Sequence, residues 1–305
     1  MDRKMVSIVT VNYNGYAVTC EMIESIFRYV TTSFEIIVVD NASEKDEARM
    51  LQIKYPEVKV YRSNINLGFA GGNNLGIREA QGDYILLLNN DTTVDCDFLK
   101  PMIDRFKIEP QAGIVCPKIR FEMYPDVLQF AGYTPLSRVT LRNYLIGFME
   151  RDEGQYDIAH TTPFAHGAAM MLKREVIEKA GLMAELYFLY YEELDWSVQI
   201  TKADYEIWYE PQSVVYHKES ASTGQNSPLR CYYLSRNRLL YAKRNCSGIF
   251  RPLSIFYQMT VVFLRDVIRY AFIGRSDLLK AVCLGVWDGL KNIRGEKPMD
   301  SRMKR

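Results

Sequence analysis

Four short apolar runs, each ending in a polar cluster, constrain the fold of this chain more than any other feature. Residues 6–11 run into the cluster 10–15 (Thr-Val-Asn-Tyr-Asn-Gly), and residues 35–39 into 40–43 (Asp-Asn-Ala-Ser). Residues 58–62 lead into the glycine- and asparagine-rich stretch 64–74, and residues 83–88 into Asn89, Asn90 and Asp91. Between the runs lie stretches with helical character at 17–30, 44–54, 71–80 and 97–107; the first places Met22, Ile26, Phe27 and Val30 at near-helical spacing. Near-continuous apolar strands alternating with helices predict an α/β fold: a mostly parallel central sheet covered by helices on both faces. Ligands of such sheets bind beyond the carboxyl ends of the strands, which is where the polar clusters fall.

Composition narrows the class further. The chain has 305 residues, 48% hydrophobic and 25% charged, enough for one large core or two modest ones and unlike a disordered or low-complexity sequence. No internal period suggests a solenoid. The six cysteines are scattered without a Cys-x-x-Cys pair, so a zinc cage or disulfide framework is not expected, and reduced thiols in a cytoplasmic setting fit best. The N-terminal apolar run is too short for a signal peptide or a membrane span and reads as a first strand. The net charge of +1 conceals an asymmetry: residues 225–305 carry 16 Lys and Arg against 5 Asp and Glu, leaving 22 against 32 in residues 1–224. A basic tail on an acidic body either packs on that body or meets something anionic.

The clusters carry chemistry suited to a sugar nucleotide. Asp40 and Asp91 are carboxylates at strand ends, where side chains converge on the sheet rim. Asp40 can accept from a pyrimidine N–H, Asn90 can reach ribose hydroxyls, and Asp91 can hold a hard divalent ion beside a diphosphate. Gly68, Gly71 and Gly72 allow close backbone approach. Singly, each such residue is as well explained as a turn or helix cap; four in order at four successive strand ends are not.

Together these segments (VSIVTVNYNG, IIVVDNAS, NLGFAGGNNLGI and GDYILLLNNDTTV) resemble the family 2 glycosyltransferases, especially their rhamnosyltransferase-like branch, over roughly residues 5–245. The resemblance implies a GT-A fold, a nucleotide-sugar donor (dTDP-rhamnose or a UDP-hexose), Mn²⁺ or Mg²⁺, and inversion at the anomeric carbon. It implies donor contacts from Val11, Asn12, Asn14, Asp40, Asn41, Gly68, Gly72, Asn73, Asn89 and Asn90. Two departures stand out. The family's Asp-x-Asp metal motif is Asn89-Asn90-Asp91, keeping only the final acid, and an Ala-Arg-Asn common in relatives is Gly72-Asn73-Asn74, so cationic help for the nucleotide is missing or comes from elsewhere.

In the second half, LYFLYYEELDWSVQ sets Glu192, Glu193 and Asp195 among aromatic residues. An acceptor hydroxyl attacking an anomeric carbon needs a group to take its proton. The resemblance assigns that role to Glu193, with Asp195 as competitor, since Glu192 and Asp195 share one helix face while Glu193 points about 100° away. By the same resemblance His217 completes the metal shell with Asp91, and His166, Gly167 and Trp196 belong to the acceptor side. Arg236 and Asn237 match an Arg-Asn pair of the branch that either holds the closing loop or reaches the diphosphate.

The expected organisation is a catalytic domain over 1–245, comprising a nucleotide-sugar-binding half (1–115) and an acceptor-side half (116–245), followed by a basic amphipathic helical tail over 246–305. The tail's longest uncharged run, 253–264, has twelve residues, short of the roughly 20 a membrane span needs. It therefore lies in a membrane interface through 250–295, packs on the catalytic domain, or forms a homodimer contact. The expected acceptor is a glycan or lipid-linked glycan of a cell-surface polysaccharide, met at the inner face of the membrane, and no nucleic acid partner is expected. The alternative function is a nucleotide-sugar-binding relative without turnover, suggested by the reduced metal motif. A nucleotidyltransferase would need a basic glycine-rich loop after the first strand, and residues 10–15 contain none.

Overall fold

The structure, a computed structural model, describes residues 5–218 and 227–296. Its sheet runs in the order β3 (Lys59–Ser63), β2 (Phe34–Asn41), β1 (Val6–Asn12), β4 (Tyr84–Leu88), β9 (Ala169–Lys173), β6 (Ala112–Phe121), β10 (Glu206–His217) and β5 (Thr92–Thr93). Two short strands flank it: β7 (Leu128–Phe130) pairs with β6 and β8 (His160–Thr161) with β10. Strands β1, β2 and β4 are buried along nearly their whole length, which is why they read as continuous apolar runs and not as alternating ones.

Successive residues feed two separate cores. Val6, Ile8, Leu86 and Leu88 pack with α1 (Tyr16–Tyr29), α2 (Glu47–Lys54) and α4 (Leu99–Ile108) on one face. Val9, Ile85 and Leu87 pack with α3 (Gly68–Glu79), α5 (Arg174–Ala180) and α6 (Glu192–Lys202) on the other. Helices therefore cover both faces, as the alternation predicts.

The sheet is mixed, less uniformly parallel than expected. The block β3-β2-β1-β4 is parallel, as is the pair β6–β10, but β9 runs antiparallel between them. This reversal positions the site. It brings the start of β9 to the carboxyl end of β4, where Asn89 N–H donates to Ala168 O at 2.8 Å. At the far side β10 pairs antiparallel with β5, so His217 lies opposite Thr92, and Lys218 N–H donates to Asp91 O at 3.0 Å.

The C-terminal helices differ in how closely they pack on the rest of the chain. Helix α10 (Ser276–Leu290) packs against α7 (Pro228–Asn245) at close range: a Cβ on Gly285 would stand 2.5 Å from Tyr232 O, and one on Gly289 2.9 Å from Arg236 O. Helix α8 (Phe250–Tyr257), a π-helical turn (Gln258–Val262) and α9 (Phe263–Phe272) follow one another, and α9 has no buried residue. Among the described residues no helix is long and apolar enough to cross a membrane. All six cysteines are free thiols.

Candidate active site

Two adjoining cavities open at the carboxyl ends of β1 and β4 and share the side chains of Phe69, Asn89, Asp91 and Leu189. The first, about 230 Å³, is walled by Val11, Asn41, Gly68, Asn73, Asn89 and Asn90, with Tyr13, Asn66 and Phe188. The second, about 300 Å³, holds His166, Gly167, Glu192, Glu193, His217 and Arg230. Asp91 stands at their junction.

The pairing of Asp91 with His217 is the most informative geometry in the site. His217 is almost fully buried, and its Nδ1 donates to Gln129 Oε1 at 2.8 Å. Its Nε2 then faces Asp91 Oδ1, 3.0 Å away, with Asn89 Nδ2 at 3.5 Å. Two acceptors at that distance call for a cation between them, either a proton or a metal ion. Adjacent ligands of an octahedral ion with bonds of about 2.1 Å lie about 3.0 Å apart, so the pair fits a metal edge. Gln129 is the outer partner that fixes such a ligand's tautomer. Among the described residues no third His, Cys, Asp or Glu joins the pair.

On the donor side, Asn41 Oδ1 accepts from Leu67 N–H at 2.9 Å and its amide donates to Asn66 Oδ1 at 3.0 Å, fixing the turn into α3. Gly68 has φ +71°, and a Cβ there would meet Phe188 O at 2.2 Å, so only glycine lets the loop 185–191 close on this helix. Asn90 donates to Thr19 Oγ1 at 2.9 Å, and Asn73 to Phe69 O at 3.0 Å.

Several expected donor contacts lie behind the wall. Asn12 is wholly buried: its amide meets Asp40 Oδ1 (3.0 Å), Ser43 Oγ (3.3 Å) and Glu47 Oε2 (2.8 Å), and its Oδ1 accepts from Thr19 (2.8 Å). Its polar groups are spent on the interior. Gly72 is a packing glycine, since a Cβ would stand 2.9 Å from Val11 Cγ2. Asn14 caps an exposed turn, its Oδ1 accepting from Glu44 N–H at 2.8 Å. Asp40 is also fully buried; Oδ1 accepts from Asn12 and Ser43, while Oδ2 has no hydrogen bond and lies 3.7 Å from Arg62 Nε.

The acids of α6 separate clearly. Glu192 and Glu193 begin the helix and project into the second cavity. Burial raises both carboxyl groups above the ordinary range, Glu192 far above it, with the neighbouring Glu193 charge adding to the effect. Glu192 Oε2 has no hydrogen-bond partner. Asp195 is elsewhere: it is 1% exposed and bonds Tyr187 Oη (3.1 Å), Arg244 Nε (2.9 Å) and Asn245 Nδ2 (2.6 Å). It clamps α6 to the end of α7 and is removed from the candidate bases. Trp196 is likewise core, 1% exposed with Nε1 donating to Gly181 O at 2.8 Å, and has no place on the acceptor side.

His166 does line the second cavity. Its Nδ1 accepts from Ala168 N–H at 3.1 Å, and burial lowers its pKa to about 3, so the ring is neutral. Gly167 keeps the wall low there, with its Cβ position 4.0 Å from Glu193 Cγ.

Arg236 does not reach the cavities. It is fully buried, donating to Tyr187 O and Gly295 O at 2.6 Å each, while Asn237 donates to Tyr187 O, Leu189 O and Tyr190 O at 3.0, 2.7 and 3.0 Å. The pair holds the loop 187–191, in which Phe188, Tyr190 and Tyr191 all take positive φ. Such strain persists only where surroundings over-determine it, and it delivers Leu189, Glu192 and Glu193 to the cavity. Arg230, near the start of α7, is the only Lys or Arg on either cavity wall among the described residues and stands on the second. Arg230, Glu192 and Gln129 were not singled out from sequence.

Comparison with known proteins identifies the family and the fold. Residues 7–181 match the model of glycosyl transferase family 2. The chain is similar to the low-salt glycan biosynthesis hexosyltransferase Agl10 of Haloferax volcanii, 23% identical over 95% of this chain and 92% of that one. It is also similar to the N-acetylglucosaminyl-diphospho-decaprenol L-rhamnosyltransferase of Mycobacterium tuberculosis, 24% identical over 63% of this chain and 68% of that one. Among solved structures, the mannosyltransferase PcManGT of Pyrobaculum calidifontis, in complex with GDP-Man and Mn²⁺, superposes with a TM-score of 0.56 at 16% identity, over 95% of this chain and 76% of that one. GalNAc-T7 with UDP, GalNAc and Mn²⁺ superposes at 0.61 with 16% identity, over 84% of this chain and 54% of that structure. The fold is GT-A, and the chain belongs to glycosyl transferase family 2, the enzymes that transfer sugars.

Proposed function

We propose that this enzyme transfers a hexosyl or rhamnosyl group, with inversion, from a nucleotide-diphosphate donor to a hydroxyl of a glycan or lipid-linked glycan in cell-surface polysaccharide synthesis. The observation that carries the reading is the facing of Asp91 and His217 where the two cavities join, with Glu192 and Glu193 in the second cavity. The first cavity takes the nucleotide. Val11, Asn41, Asn73, Asn89 and Asn90 offer its walls. Asp91 and His217 would hold Mn²⁺ or Mg²⁺, which supplies positive charge to the leaving diphosphate when bound. Arg230 adds a fixed cation on the same side of the reaction.

Glu193 then takes the acceptor proton. Its raised carboxyl is a stronger base than an ordinary carboxylate once ionised, and the low wall at Gly167 leaves room for a sugar hydroxyl beside it. Glu192, held neutral by burial, can donate a hydrogen bond that orients the acceptor. The names of two relatives, a hexosyltransferase and a rhamnosyltransferase acting on a polyprenyl diphosphate, support this substrate class. The test is release of nucleoside diphosphate from a panel of dTDP-, UDP- and GDP-sugars with Mn²⁺ and a polyprenyl-diphosphate acceptor. One donor should turn over, and Glu193→Gln should abolish its transfer while leaving donor binding intact. Unchanged transfer by Glu193→Gln would refute the assigned base.

A further inference from the structure

The strongest unassigned feature is the outer face of the helical stretch α8–α9. Phe256, Val261, Leu264, Ile268 and Phe272 are 65, 48, 51, 67 and 91% exposed, and their spacing keeps them on one side of the helix. α9 has no fully buried residue; its inner side meets α7 through Tyr270, whose Oη lies 3.4 Å from Cys231 Sγ, while the neighbouring α10 is well packed. A continuous exposed apolar strip of this kind marks an interaction surface. Its flanks carry Arg251, Arg265 and Arg269, and the nearby Trp287, 56% exposed, has Lys291 Nζ 4.3 Å above its ring. Of the acids in this part of the chain, Asp266 and Asp277 pair with Arg265 and Arg275, and Asp288 is buried against Tyr232.

We infer that this face docks the enzyme on an anionic lipid surface, with α8–α9 lying in the plane of the interface. Three features favour lipid over a second copy of the chain. The apolar residues lie along the outer side of a helix whose inner side rests on α7 and α10, the arrangement of a helix lying in an interface plane. The apolar strip is bordered by cations, the charge complement of lipid phosphates; a two-fold contact would bring the same arginines together. The exposed Trp–Lys pair is the chemistry that settles at head-group depth. The inference is independent of the catalytic assignment, though a lipid-linked acceptor would make it useful.

The experiment is co-sedimentation of the full chain with phosphatidylcholine vesicles, with and without 30% phosphatidylglycerol (about one lipid in three), alongside light scattering of the protein alone. Binding should appear on the anionic vesicles and weaken with salt. Arg269→Glu should lower the partition coefficient about fivefold or more. Ile268→Glu with Phe272→Glu should lower it at least tenfold while leaving the melting temperature and donor hydrolysis unchanged, since neither residue touches the body or the cleft. No binding of the wild type to anionic vesicles, or equal binding by the double variant, would overturn the inference. So would a stable dimer that the double variant dissolves without any effect on vesicles.

Discussion

Replacing Asn237 tests how the strained loop over the active site is held. Its side-chain amide faces three carbonyl oxygens, of Tyr187, Leu189 and Tyr190, from a position with no solvent exposure. Tyr187 O keeps a second donor in Arg236, while Asn237→Ala withdraws the amide from the Leu189 and Tyr190 carbonyls and its own Oδ1 from Arg236 Nε. Losing such a hydrogen bond costs about 1–2 kcal/mol where the groups are only partly shielded, and two of these carbonyl bonds are lost. The sum is about 2–4 kcal/mol, or roughly 3–6 °C in melting temperature for a chain of this size. Asn237→Asp keeps the volume but replaces the donor by an acceptor facing carbonyls, and should be at least as damaging. Differential scanning fluorimetry reads the first effect, and kcat against KM the second: kcat should fall at least tenfold, because the loop carries Glu192 and Glu193 into the cavity. A loss below about 0.5 kcal/mol in both variants would show that the loop's positive-φ residues are held by something other than this amide.

Three further outcomes follow from the same geometry. Glu192 is more easily protonated in the folded chain than in the unfolded one, so its contribution to stability is complete below the ordinary carboxylate range and is lost as pH rises through its raised value. Glu192→Gln should therefore raise the melting temperature near pH 8 and leave it unchanged near pH 4. Glu193 must be ionised to accept a proton, and its pKa is raised, so the acid limb of kcat/KM should lie above that of an ordinary Glu and change with Glu193→Asp; a flat profile from pH 5 to 8 would contradict its role. Gly68→Ala puts a Cβ 2.2 Å from Phe188 O at φ +71°, and should cost about 2 kcal/mol or more and weaken donor affinity, read by thermal shift with and without nucleotide sugar.

The sequence made the rim legible because strand ends are local: apolar runs with polar termini mark where Asn41, Asn90 and Asp91 stand whatever happens elsewhere. It left the sheet's direction open at β9, since a short run such as Ala169–Lys173 packs equally well in either sense. It also misjudged residues whose roles are set by distant partners. Helical phase rightly groups Glu192 with Asp195 on a buried side. Glu192, in the first residue of α6, projects past the helix end into the cleft, whereas Asp195, one turn on, meets Arg244 and Asn245 fifty residues away. Trp196 looked like a site aromatic by its neighbours and is core by its depth. Arg230 carried no local signal; only the docking of α7 beside the loop 187–191 sets it in the cavity.

The central claim is that Asp91, facing His217, is the protein's metal-binding carboxylate. The direct measurement is Mn²⁺-dependent sugar transfer by Asp91→Ala beside Asn89→Ala, with Mn²⁺ affinity in the presence of donor read by electron paramagnetic resonance. Loss of the metal's contribution should lower transfer by Asp91→Ala about 100-fold or more and abolish the Mn²⁺ signal change, with Asn89→Ala much closer to wild type. Wild-type transfer and metal dependence in Asp91→Ala would contradict the account.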